Sequence, residues 1–168
     1  MPLQLVTKDN LQELIFQWEG QCKAAGEGIE VFAPVQMEHA AKIVTEGSGS
    51  QDYYIYSSFI GGNHECILHV NKGVRMPDTH GLTHRVMWVL LSPKYDYGAV
   101  DPRDIANVAT DVIVGALNLC KEDGSQNVKI HIGNMGDREY FSGVANALRS
   151  FGQFKEVDLR GNWLYISL

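Results

Sequence analysis

The stretch Leu90–Ile105, LLSPKYDYGAVDPRDI, decides the fold prediction because it joins the most apolar strand of the chain to its most regular helix. Residues 84–92 have the continuous apolar character of a buried central strand. Residues 101–122 carry apolar side chains at spacings of three and four, which predicts a helix with a wide apolar face packed on a sheet. The residues of that face are Ile105, Val108, Ala109, Val112, Ile113, Ala116, Leu117 and Cys120.

The helix start inside this stretch has its own signal. Asp101, Pro102 and Asp104 take the N-cap, N1 and N3 positions, which favour aspartate, proline and an acidic residue respectively. A junction of strand, short loop and helix is also where many α/β proteins bind a phosphate, because free backbone N–H groups point out of the helix. The stretch therefore predicts either a phosphate site or a helix that caps itself.

Periodicity and turn residues predict the remaining elements. Asp9 and Gln12 have capping-box spacing at the start of the first helix. The polar segment 71–82 predicts a loop. The order β, α, α, β, β, β, α, β, α, β, β predicts an α/β (α+β) fold with a mixed, mainly antiparallel, twisted sheet of about six or seven strands flanked by helices. Strands are expected over 2–7, 53–60, 65–70, 84–92, 128–132, 154–158 and 163–168, and helices over 9–25, 35–45, 101–122 and 137–151.

Composition narrows the class of protein. The 168 residues are enough for one domain, and we expect residues 1–168 to form a single one. The net charge of −6, with no cluster of Lys and Arg, argues against a nucleic-acid partner. The longest apolar run, Val86–Leu91, is too short to span a membrane. Three widely spaced cysteines and the absence of a secretory signal favour the cytoplasm.

The element order, the length and the two long helices resemble the GNAT family, the GCN5-related N-acetyltransferases, which move an acyl group from coenzyme A to an amine. In that family the fourth strand ends in a pattern like V-x-P-x-Y, and Leu91–Tyr95, LSPKY, is similar to it. Gly152–Phe154 resembles the family's Gly-Phe pair with one residue inserted. The resemblance implies acetyl-CoA or another acyl-CoA as cofactor, and an amine-bearing small molecule or protein as partner.

The resemblance also implies where the cofactor would bind. The family's loop has a basic or amide residue followed by two glycines, and this chain has Asp96, Ala99 and Asp101 at those positions. Two interpretations follow: a modified coenzyme A site, or a self-capped helix without a phosphate. The candidate cofactor-binding residues are Leu91, Pro93, Tyr95, Gly98, Ala99 and Arg103.

Candidate catalytic residues are His84, His131 and Tyr140. Histidine suits a general base near neutral pH, and both histidines lie on predicted strands. The family's acid, a tyrosine, corresponds here to Leu148, so Tyr140 is the alternative donor. For all three residues an ordinary structural role is the competing interpretation.

No metal site is predicted, because His64 and Cys66 share one face of their strand while His69 lies on the other. Two functions remain open: a divergent N-acyltransferase, or a non-catalytic binding or structural protein that has lost the coenzyme A loop. The apolar C-terminal strand 163–168 could pair across a homodimer or lie within the sheet.

Overall fold

The structure, a computed structural model, describes residues 3–47, 52–77, 80–133 and 135–168. Its elements follow the predicted order, with an added 3₁₀ turn and a short helix before the long one. They are β1 (Gln4–Leu5), α1 (Lys8–Ala24), the 3₁₀ turn (Ile29–Val31), α2 (Pro34–Glu46), β2 (Tyr53–Ile60), β3 (Asn63–Arg75), β4 (Leu82–Leu91), α3 (Lys94–Tyr97), α4 (Pro102–Glu122), β5 (Asn127–His131), α5 (Met135–Ser150), β6 (Glu156–Arg160) and β7 (Trp163–Ser167).

The strands form one seven-stranded sheet in the order β1-β2-β3-β4-β5-β7-β6. Strands β4 and β5 are parallel and are connected by α4, whereas β1 with β2, β5 with β7, and β6 with β7 are antiparallel. The predicted fold class, a mixed and mainly antiparallel sheet flanked by helices, is confirmed.

The chain divides into two compact units. The N-terminal unit comprises Met1–His69 and Val89–Gly115, and the C-terminal unit comprises Val70–Trp88 and Ala116–Leu168. The core of the N-terminal unit includes Leu14, Trp18, Ile55, Ile67 and Leu68, and that of the C-terminal unit includes Val86, Val128, Ile130, Leu164 and Ile166.

Two local predictions need correction. Helix α1 begins at Lys8, not Asp9, because Thr7 is its N-cap and the Thr7 N–H donates to Asn10 Oδ1 at 2.6 Å. Strand β3 continues to Arg75 through part of the predicted loop. The Lys72 ammonium pairs with Asp123 at 3.0 Å, and Gly73 adopts φ +61° within the strand. Glycine tolerates that angle, so it does not end the strand.

The C-terminal strand β7 lies inside the sheet, hydrogen-bonded to β5 on one side and β6 on the other. Both of its edges are therefore occupied. A homodimer cannot form by pairing this strand with its copy, and any dimer has to use another surface.

Candidate functional site

Four backbone N–H groups between β4 and α4 donate to carbonyl groups of the same junction. The N–H groups of Tyr95 and Gly98 donate to Ser92 O and Lys94 O, at 3.0 and 2.9 Å. Those of Asp96 and Tyr97 both donate to Pro93 O at 3.0 Å. These bonds close α3, a short helix that the sequence did not predict, so the four N–H groups are already paired.

The start of α4 is capped by Asp101, as the sequence predicted. Pro102, the first helical residue, has no N–H group. The Arg103 N–H donates to Asp101 Oδ1 at 2.9 Å, and the Asp104 N–H donates to Asp101 O at 2.8 Å. The first three positions of α4 therefore have no unused donor that a bound anion could meet.

Both cations of the junction are paired with carboxylates. The Arg103 guanidinium lies against Asp101, with Nη2 at 2.6 Å from Oδ2 and Nε at 3.1 Å from Oδ1. These bonds lower the pKa of the Asp101 carboxyl from its ordinary value. The Lys94 ammonium lies 2.6 Å from Glu65 Oε2. Each positive charge at this junction therefore has a negative charge beside it.

Glu65, on β3, is the junction residue that sequence reasoning missed. Its side chain is buried, and Oε2 accepts the Tyr95 hydroxyl at 2.6 Å as well as the Lys94 ammonium. Its backbone carbonyl accepts the Ser92 N–H at 2.9 Å. Burial and the Glu65 carboxylate raise the pKa of Tyr95 well above its ordinary value. A glutamate inside an apolar strand was the available signal, since unpaired carboxylates are rarely buried.

The other predicted cofactor residues have ordinary surroundings. Leu91 is half-buried at the end of β4, Pro93 is buried, and Ala99 is exposed. Gly98 is also exposed, but a Cβ at this position would lie 2.6 Å from Lys94 O. The close turn therefore requires glycine here, whatever the loop binds.

His84, in the C-terminal unit, is fully buried. Its Nε2 lies 3.0 Å from Asp123 Oδ2, and the same oxygen lies 3.0 Å from the Lys72 ammonium. Burial lowers the pKa of His84, although Asp123 acts in the opposite direction. A buried imidazole that Asp123 holds between β4 and the end of α4 has a structural role.

His131 and Tyr140 are both partly open to solvent. His131 ends β5 opposite Trp163, and the two rings meet edge to face at 4.9 Å. Because His84 pairs with Val128, three residues before His131, the two histidines lie on opposite faces of the sheet. Tyr140, 38% exposed on α5, packs against Phe141. The structure does not bring the two histidines to one site.

The C-terminal unit also contains a cavity of about 350 Å³ at the start of β5, where none of the predicted site residues lies. Its wall includes Asn127, whose Nδ2 donates to His80 O at 2.6 Å. The Tyr165 hydroxyl donates to Asn127 Oδ1 at 2.7 Å. The polar groups of Asn127 are thus satisfied by the protein itself.

Metal and thiol chemistry find no support in the described part of the chain. There, no group of three or more His, Cys, Asp or Glu side chains is placed to hold a metal ion. Cys22, Cys66 and Cys120 are buried free thiols, and burial raises the pKa of Cys66 to about 12 and that of Cys120 to about 11. Such thiols are poor nucleophiles.

Within the described ranges, no helix is both long enough and apolar enough to cross a membrane. Searches by sequence find no protein-family model that matches the chain and no match among curated proteins.

Similarity appears at the level of solved structures. A probable acetyltransferase from Staphylococcus epidermidis ATCC 12228 superposes with a TM-score of 0.52 and 12% identity, covering 98% of this chain and 97% of that one. The GNAT domain of S. lividans PAT superposes with a TM-score of 0.51 and 10% identity, covering 99% of this chain and 88% of that one. At such identity the likeness concerns the fold. The chain has the fold of the GNAT acetyltransferases.

Proposed function

We propose that this chain is a non-catalytic binding protein built on the GNAT fold, and that it does not take coenzyme A at the β4–α4 junction. The observation that carries the proposal is the start of α4. Pro102 has no N–H there, and the N–H groups of Arg103 and Asp104 are both bonded to Asp101.

A pyrophosphate needs donors and positive charge at this place. Helix N-termini bind phosphates through unused N–H groups, assisted by the helix dipole. Here Asp101 takes those N–H groups, while Lys94 and Arg103 are paired with carboxylates. Further carboxylates stand at Asp96 and Asp104. Like charges 4 Å apart repel by about 1 kcal/mol even in water. The residues present do not fit the pyrophosphate of coenzyme A.

A fold alone does not settle this question, because unrelated functions recur on the same fold. In a protein that has kept the sheet and lost the loop chemistry, the remaining surfaces are free to bind other ligands. The proposal therefore assigns the chain a binding role and derives no acyl-transfer step.

A second candidate is acyl-CoA-dependent N-acylation, which two observations favour. The fold is shared with a probable acetyltransferase at a TM-score of 0.52, and Leu91–Tyr95 is similar to the family motif. In this case His131, partly open to solvent, is better placed than the buried His84 to take the proton from an attacking amine.

Isothermal titration with acetyl-CoA separates the two candidates. The wild-type protein should give no saturable heat at millimolar acetyl-CoA. The double variant Asp101→Gly/Pro102→Ala frees the donors and should acquire weak, saturable binding. The control is Glu122→Gln, which removes the same amount of negative charge at an exposed site at the other end of α4. This variant should not bind acetyl-CoA. Saturable binding by the wild type would overturn the proposal in favour of the acyltransferase.

A further inference from the structure

One face of the sheet in the C-terminal unit is polar and aromatic. The register pairs Arg85 with Lys129, Lys129 with Tyr165, and His131 with Trp163. Alternate residues of a strand point to the same face, so these five side chains lie on one side of the sheet. The opposite face carries the buried core of the unit. We call the five residues the Arg85 face.

Arg85 differs from four other cations of the chain, which have carboxylate partners. Its guanidinium lies over the Trp163 ring, 5.1 Å from the ring centre, and its Nε is buried without a hydrogen-bond acceptor. Among the described residues, no carboxylate pairs with it. Cations elsewhere do have such partners: Lys72 with Asp123, Lys94 with Glu65, Arg149 with Asp158, and Arg160 with Glu156.

The buried Nε–H group of Arg85 has no hydrogen-bond acceptor among the described residues. Buried donors in proteins nearly always have an acceptor, and a guanidinium has five N–H groups to satisfy. An anion beside Arg85 would accept this donor.

We propose that the Arg85 face binds the carboxylate group of a small ligand. A carboxylate matches the planar fork of a guanidinium, and its single charge balances that of Arg85. The rings of Trp163 and His131, which meet edge to face at 4.9 Å, supply an aromatic wall for the rest of the ligand. The proposal rests on the proposed function for its biological meaning, since it names the ligand class of a binding protein, but it is measured without coenzyme A.

Benzoate is the probe, and benzamide is the matched uncharged control. We expect benzoate to produce saturable NMR shifts of the Arg85 Nε–H and the Trp163 indole N–H, whereas benzamide produces none. Arg85→Gln should weaken benzoate binding about tenfold, since a charge-assisted pair is lost. Lys23→Gln, which removes an exposed cation on α1, should leave the affinity unchanged.

Three results would overturn the proposal: no saturable shift with benzoate, equal binding of benzamide, or wild-type affinity in Arg85→Gln. Inorganic phosphate binding more tightly than benzoate would overturn the assignment to a carboxylate.

If Arg85→Gln fails to fold, Arg85→Lys keeps the charge without the planar fork. It should then bind benzoate several-fold more weakly than the wild type, and unchanged affinity would count against the site. Acetyl-CoA binding, tested separately, bears only on the proposed function.

Discussion

Asp101 binds both the backbone and the side chain of Arg103: Oδ1 accepts the backbone N–H at 2.9 Å, and Oδ2 accepts a guanidinium N–H at 2.6 Å. These bonds occupy the backbone donors at the start of α4. Asp101→Ala removes this cap and should lower the free energy of unfolding. Urea titration followed by circular dichroism measures the loss. Asp104→Asn keeps the cap, so it should lower the free energy of unfolding less than Asp101→Ala does. An equal loss in the two variants would contradict the capping role of Asp101.

Tyr95 holds β3 to the junction through Glu65. Tyr95→Phe leaves a buried carboxylate with one hydrogen bond fewer, at a cost of about 2 kcal/mol in unfolding free energy. The matched control is Tyr97→Phe, because the Tyr97 ring is 42% exposed and α3 carries both residues. Equal unfolding midpoints for the two variants would show that the Tyr95 hydroxyl bond contributes little.

Acid should destabilise the protein before its carboxylates titrate. Burial lowers the pKa of His69 from 6.5 to about 4, and the His39 ring beside it acts in the same direction. The unfolded chain binds more protons than the folded one between these values, so the stability is present above pH 6.5 and is lost as the pH falls toward 4. At about 1.4 kcal/mol per pKa unit, His69 alone accounts for a loss of up to about 3 kcal/mol in the free energy of unfolding over this pH range.

Burial also lowers the pKa values of His64 and His84, so both add to this acid sensitivity. Unfolding free energies at pH 7.5 and pH 5 test the sign. His69→Asn should reduce the difference between the two pH values, whereas His80→Gln, at an exposed position, should not. A stability that is constant across this range, or that rises toward pH 5, would contradict the prediction.

Two helical glycines should respond to alanine in opposite directions. A Cβ at Gly20 meets nothing within 4 Å, so Gly20→Ala should stabilise the protein by about 1 kcal/mol through helix propensity. A Cβ at Gly115 would lie 2.4 Å from Leu3 Cγ, so Gly115→Ala should destabilise by about 1 kcal/mol despite the same propensity gain. Thermal unfolding of both variants provides the measurement, and a rise in Tm for Gly115→Ala would contradict the packing at Leu3.

The sequence predicted what depends on residues close together along the chain. Periodicity placed α4, and the run Asp101–Asp104 predicted its cap. Most of what it missed depends on residues far apart in sequence. Glu65 on β3 meets Tyr95 on α3 only in the folded structure, and Lys72, in the part of β3 that was predicted to be a loop, pairs with Asp123 beyond the end of α4. That the Arg85 Nε lacks an acceptor in the described part of the chain depends on the residues around it in the fold, so no pattern of neighbouring residues in the sequence could predict it.

The central claim is that the start of α4 has no donors left for coenzyme A. Backbone NMR of the wild-type protein during addition of acetyl-CoA tests it most directly, through the N–H resonances of Ala99, Arg103 and Asp104. The account predicts that none of the three shifts at millimolar acetyl-CoA. Saturable shifts of the Arg103 and Asp104 resonances would contradict it, because they would show that the ligand displaces Asp101 from the helix start.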